Sequence, residues 1–164
     1  MTLFTHTVSS AALLKLVDQI SPLSFSLHIY CIFVIGSIFP DIIEMFFVKL
    51  NFAKFNEIHR KFFHLPLLYI LLLIIHFILL YFNTKYSNIT LFNNSVHLNA
   101  IILFILLGSL FHLLEDIFSP SGLPSIKFKN YKMIFSKFKF KTLYVTGGYR
   151  EGIFFLICLI YLFI

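Results

Sequence analysis

His112 and Asp116 stand four apart in Leu110-Phe111-His112-Leu113-Leu114-Glu115-Asp116, at the end of an apolar run that reads as helix. One helical turn puts residues i and i+4 on the same face, so the imidazole and the carboxylate converge on one point. That pairing of nitrogen and oxygen donors suits a divalent metal ion. Two further clusters, Pro40-Asp41-Ile42-Ile43-Glu44 and His59-Arg60-Lys61-Phe62-Phe63-His64, supply the same donor types beside other apolar runs. Ionisable groups at membrane depth are costly, and each is a candidate for function.

Each candidate has a plainer alternative. Asp41 follows Pro40 at what reads as a break in an apolar helix, where it either caps the next turn or ligates a metal. Glu44 either supports the site from behind or meets solvent. His59 and His64, five apart, do not stack on a regular helix, but a loop-to-helix junction would turn both inward. Arg60 between them is either a phosphate or carboxylate clamp or a cytoplasmic membrane anchor. Glu115 faces the headgroups or backs the site. His28, His76 and His97 have no acidic neighbours and read as hydrogen-bonded structural residues. His6 joins the cluster if the helix that follows it crosses or re-enters the membrane. Beyond Asp116, Ser119-Pro120-Ser121-Gly122-Leu123-Pro124 must stop the helix and turn the lysine-rich segment back over the site. Gly147-Gly148 before Glu151 reads as a hinge with an additional carboxylate.

The elements that must position these residues are set by composition. The chain of 164 residues is 59% hydrophobic and 12% charged, with 23 Phe. Soluble domains carry about a quarter of charged residues, so a mean hydropathy of +0.92 marks an integral membrane protein. A spanning helix needs about 20 mostly apolar residues. Residues 62–82 and 99–118 meet this, and 25–48 does so through Asp41 and Glu44. The tail, 152–164, is shorter, and 8–20 is amphipathic, with Lys15 and Asp18 interrupting it. The expectation is an all-α membrane bundle in one domain over 1–164, with about four or five helices, of which three to five span. No cleavable signal peptide is expected, since Lys15 and Asp18 interrupt the first apolar stretch. Cys31 and Cys158 lie in apolar runs without Cys-x-x-Cys spacing and read as buried small hydrophobes.

The net charge of +6 is concentrated, with Lys127, Lys129, Lys132, Lys137, Lys139 and Lys141 in one loop. Positive-inside topology and anionic headgroups account for that loop, and no nucleic-acid partner is expected. Loops 49–61 and 119–150 are therefore expected to face the cytoplasm and loop 83–98 the other side, which places every ligand candidate at the cytoplasmic face.

At these motifs the sequence resembles the YdjM-type bacterial inner-membrane family, described as LexA-binding and assigned to metal-dependent hydrolases. The family pattern is an early His, a Pro-Asp with a further acid, His-Arg-x-x-x-His, and His-x-x-x-Asp running into a Pro-x-Gly-x-Pro turn. Here these are His6, Pro40-Asp41 with Glu44, His59-Arg60 with His64, and His112 with Asp116 before Pro120, Gly122 and Pro124. Gly147 and Glu151 match a late Gly-containing segment with Glu. Where the family usually has a second Asp, this chain has Ile43, and Phe63 stands where Thr is common. The resemblance implies His6, Asp41, His59, His64, His112 and Asp116 as metal ligands, with Asp41, Arg60 and Glu151 serving catalysis. The ligand order also looks like that of helical zinc-dependent phospholipases C, without their second His-x-x-x-Glu pair, so a three-metal site is not expected.

These readings lead to a multi-pass bacterial inner-membrane hydrolase with one or two divalent ions, zinc or manganese, acting on a lipid-like or small phosphoester among membrane lipids. The alternatives are a noncatalytic metal-binding scaffold or partner-binding protein and, with little support, a transporter. The topology is checked by cysteines placed at Lys54, Asn93 and Lys137. An impermeant reagent added outside intact cells should label only the Asn93 position, and labelling at Lys137 would reverse the orientation.

Overall fold

Among the described residues, apolar runs bounded by Pro, Gly and polar turns fold into five helices: α1 (Leu3–Ile20), α2 (Leu27–Phe47), α3 (Pro66–Phe82), α4 (Leu98–Ile117) and α5 (Tyr149–Phe163). The structure is a computed structural model that describes residues 2–21, 25–47, 63–82, 88–91, 94–119, 122–129, 132–138 and 145–164. The candidates His59 and Arg60 lie outside the described residues.

The helical bundle is the fold. Two antiparallel hairpins stand in connections read from the sequence as loops: β1 (Asn88–Leu91) with β2 (Asn94–His97), and β3 (Leu123–Lys129) with β4 (Lys132–Phe138). The second pairs Leu123 with Phe138 and Lys129 with Lys132.

α2 packs most extensively on α4, and glycine makes this possible. A Cβ on Gly36 would fall 2.5 Å from the Ile105 carbonyl oxygen, and one on Gly108 would overlap the Phe33 carbonyl oxygen. The two backbones therefore touch, as small residues allow in membrane helices. The helices run in the same direction, and each carries its site motif on the turn after the contact: Asp41 after Gly36, His112 after Gly108.

α2 continues through Pro40, where the sequence reading placed a break. Proline removes an amide donor and so frees the carbonyl of Gly36, four residues back. Ser109 Oγ on α4 lies 2.9 Å from that carbonyl oxygen. That hydroxyl, which also lies 2.9 Å from the Ile105 carbonyl oxygen of its own helix, can donate to the group that proline leaves, and the helix persists.

α1 runs antiparallel to α2. It begins earlier than the amphipathic pattern shows because Thr2 caps it, its side chain accepting from the Thr5 amide at 3.4 Å. The earlier start puts His6 on the helix. Ser10 Oγ donates to Ser37 Oγ at 2.7 Å, tying α1 to α2 just below the site. The charges that interrupt α1 have partners at its far end. Lys15 Nζ donates to the Tyr161 and Leu162 carbonyls at the C-terminus of α5, at 3.1 and 3.2 Å. Asp18 accepts from the Phe25 amide at 2.7 Å and from the Tyr30 hydroxyl at 3.3 Å, at the entry to α2. A cation at one helix end and an anion at another complement the backbone dipoles.

α3 packs on α4 through Tyr69, Leu106 and Leu113, and Leu123 at the start of β3 joins the same cluster. Its other faces expose Leu67, Ile70, Leu71, Ile74 and Ile78. Such a contiguous apolar face suits lipid and not water. Of the three to five expected spans, α2 and α4 are long and apolar enough by themselves among the described residues, and α3 is apolar but shorter. α3 becomes regular helix only at Pro66, α5 has 15 residues, and α1 carries Lys15 and Asp18.

Replacing Gly108 by Ala should destabilise the protein by at least about 1–3 kcal/mol, the usual cost of overpacking, because the intruding methyl meets backbone that cannot rotate away. A thermal midpoint in detergent equal to that of the wild type would contradict the close crossing.

Candidate metal centre

Three helices and one turn deliver acidic and imidazole side chains to a common point. α2 brings Asp41 and Glu44, three apart on one helical face. α4 brings His112, Glu115 and Asp116. α1 brings His6, and the turn before α3 brings His64. His6, Glu44, His64, His112, Glu115 and Asp116 are buried, while Asp41 is 16% exposed and forms the edge that reaches the surface.

The inner atoms lie close together. His64 Nε2 is 3.2 Å from His112 Nε2 and 3.2 Å from Asp41 Oδ1. His112 Nε2 is 3.6 Å from the same Asp41 oxygen. Asp116 Oδ2 is 3.7 Å from both imidazole nitrogens. The His6 ring lies tilted against that of His112 at 3.9 Å between centroids, with its Nε2 3.7 Å from Asp116 Oδ1. Two groups of donors have metal-binding spacing: His64, His112 and Asp116, and His6, Asp41 and His112.

Behind the histidines stand the other two carboxylates. Glu44 Oε1 is 3.0 Å from His64 Nδ1, and Glu115 Oε2 is 2.6 Å from His6 Nδ1. A carboxylate that accepts the Nδ1 proton fixes the tautomer and aims the Nε2 lone pair inward, the common support of a metal-binding histidine. These were the two acids whose place the sequence left open.

At His64 the local electrostatics favour positive charge. Burial opposes a charged His64 imidazole, but hydrogen bonds to Asp41 and Glu44 and their negative charges outweigh it and raise its pKa to about 9. Four carboxylates beside three imidazoles would repel one another if nothing neutralised them. Cations or protons at the centre are what make the grouping tolerable.

The remaining candidates are placed differently. Glu151 accepts from the Thr2 amide, from Thr5 Oγ1 at 2.8 Å and from the Gly147 amide at 2.7 Å. Burial would raise its pKa, yet these donors hold it below the usual carboxylate range. It joins the starts of α1 and α5, and through Thr5 it fixes the turn that carries His6. Gly147, at φ 74°, supplies the left-handed bend that turns its amide to Glu151. His76 is buried on α3 away from the cluster, and Lys15 and Asp18 lie at the opposite end. After α4, Ser119 Oγ donates to the Asp116 carbonyl at 2.8 Å, and Gly122, at φ 61°, turns the chain so that Leu123 packs on Leu113.

The sequence carried an unread signal for the crossing: the dipeptides Gly36-Ser37 and Gly108-Ser109 each stand about one turn before a ligand candidate. Their glycines make the contact and their hydroxyls bridge the helices.

Fold and cluster together define a helical membrane protein with buried histidine and carboxylate groups able to hold a metal ion. The chain belongs to the YdjM inner membrane protein family, whose sequence model matches residues 1–164. No curated protein and no solved structure matches it.

If Glu44 and Glu115 orient their histidines, Glu44→Gln and Glu115→Gln should each weaken metal binding by about 10–100-fold while the fold persists. Zinc titration against a competing chelator measures this, and unchanged affinity in both variants would show that the acids are not supports.

Proposed function

We propose that the protein is a multi-pass, membrane-bound metal-dependent hydrolase that holds one zinc-like divalent ion and acts on a phosphoester at the cytoplasmic face. One observation carries the reading. Four donors, His64 Nε2, His112 Nε2, Asp41 Oδ1 and Asp116 Oδ2, have five of their six separations between 3.2 and 3.7 Å. Zinc bonds of about 2.0–2.2 Å in a tetrahedron separate donors by about 3.3–3.6 Å. These five separations are close to those of a zinc site, and manganese accepts the same donor types.

The two metal-binding groups share His112. A residue common to both groups makes them overlapping parts of one site, in which His6 is a further donor.

A divalent ion at this point would acidify water and polarise a phosphoryl or carbonyl oxygen. The protein's own groups do the rest. Glu44 and Glu115 hold the histidine tautomers, and Glu151 positions His6. Asp41, at the exposed edge, is placed to ligate or to take a proton from an approaching nucleophile. Arg60, from the His-Arg motif, and the lysine-rich segment supply positive charge for a phosphate. A site at headgroup depth favours a lipid or another amphiphilic phosphoester.

The burial of all the cluster but Asp41 also fits a noncatalytic scaffold with a structural metal, which would present the lysine-rich segment to a partner. Turnover of a phosphoester panel by the metal-loaded protein in detergent separates the two readings.

His112→Ala and Asp116→Ala should each lower bound zinc at least about tenfold, whereas His76→Ala should retain about one ion per chain, like the wild type. Elemental analysis of the purified proteins decides it. Equal metal content in all three variants would remove the basis of the site.

A further inference from the structure

Tyr69 stands five residues beyond His64 on α3 and is 2% exposed, its ring packed on Leu106, Leu113 and Leu123. Leu113 follows His112, and Leu123 follows the Gly122 turn. The ring is thus held against the two segments that frame the cluster. The charges of Glu44 and Asp41 reach its hydroxyl. That hydroxyl is buried, and among the described residues it meets no hydrogen-bond partner.

A buried hydroxyl without a partner is destabilising compared with phenylalanine, which would fill the same apolar packing. A tyrosine kept in such a place calls for an acceptor that comes from outside the fold. Asp41, one of the two carboxylates whose charge acts on Tyr69, is also the cluster's exposed edge, where a ligand that reaches the donors would enter. A phenol beside carboxylates is a donor, and the groups it can serve are oxygens rich in lone pairs. An anionic tetrahedral group has such oxygens to spare when one of them is held at the centre.

We propose that Tyr69 contacts the substrate, its hydroxyl donating a hydrogen bond to an oxygen of a phosphoryl group held at His64, His112, Asp41 and Asp116. The assignment rests on the metal-dependent hydrolase reading above. As a neutral donor, Tyr69 binds an anion without adding charge to the interior, a different task from that of Arg60.

The experiment uses zinc-loaded wild type and Tyr69→Phe in detergent, with inorganic phosphate as the probe, followed by calorimetry. Tyr69→Phe should keep the wild-type zinc content and melt at the same or a higher temperature, because it removes only the hydroxyl. Its phosphate dissociation constant should rise at least about tenfold, the effect of losing a hydrogen bond to a charged group. A merely structural tyrosine would lower the melting temperature on substitution and leave phosphate affinity alone, and an unchanged phosphate affinity would overturn the assignment. Wild-type protein that holds zinc but binds no phosphate would overturn it as well. Wild-type protein that holds no metal would overturn the metal reading itself and this assignment with it.

Discussion

Two backbones meet without intervening side chains where α2 and α4 cross at Gly36 and Gly108. In a bilayer, apolar side chains gain little by leaving lipid for a neighbouring helix, so packing and hydrogen bonds must hold helices together. Two glycines give the packing, and Ser109 gives the hydrogen bond to the Gly36 carbonyl. The crossing lies about one turn from Asp41 and His112. It therefore fixes their separation more tightly than a contact through long, rotatable side chains would. A functional centre needs its groups held to within about 0.5 Å, and a backbone contact next to the site supplies that rigidity.

Proline takes part in the same arrangement. Pro40 would ordinarily end or kink α2, and Asp41 would then sit on an irregular turn. Because a hydroxyl from α4 takes the place of the missing donor, α2 stays helical to Phe47 and keeps Asp41 and Glu44 on one face. Asp41 faces the centre from that helix, and Glu44 reaches behind His64. The loss of one backbone hydrogen bond and its replacement from a neighbour couple the two helices at the point where the ligands converge.

Charge shapes the rest of the bundle. At one end, Asp41, Glu44, Glu115 and Asp116 are matched by His6, His64 and His112. Glu151 is neutralised in a different way, by two amides and a hydroxyl that tie the starts of α1 and α5. At the other end, Lys15 and Asp18 cap neighbouring helices. Between these layers the helices are apolar apart from buried serines, whose hydroxyls bond to backbone carbonyls or to one another, and His76 on α3. Polar groups gathered at one face, with a surface edge at Asp41, fit a reaction centre at the membrane interface better than a path through the bilayer.

The sequence by itself determined the helical membrane class, the donor types and their grouping. Apolar runs of spanning length have few structural alternatives in lipid, and an i, i+4 His-Asp pair shares a face in any regular helix. It also marked His6 as conditional on a helix whose start it misjudged, because the Thr2 cap lies outside the amphipathic pattern. Only the tertiary structure decided that Glu44 and Glu115 stand behind His64 and His6, that Lys15 and Asp18 are helix caps, that Pro40 lies within a continuous helix, and that Tyr69 lies beside the cluster. Each of these depends on a partner distant in sequence. Periodicity reports which face of a helix is apolar, but not which helix that face meets or at what height, and the height at which α2 and α4 cross is set by two glycines whose pairing across the helices hydropathy does not report.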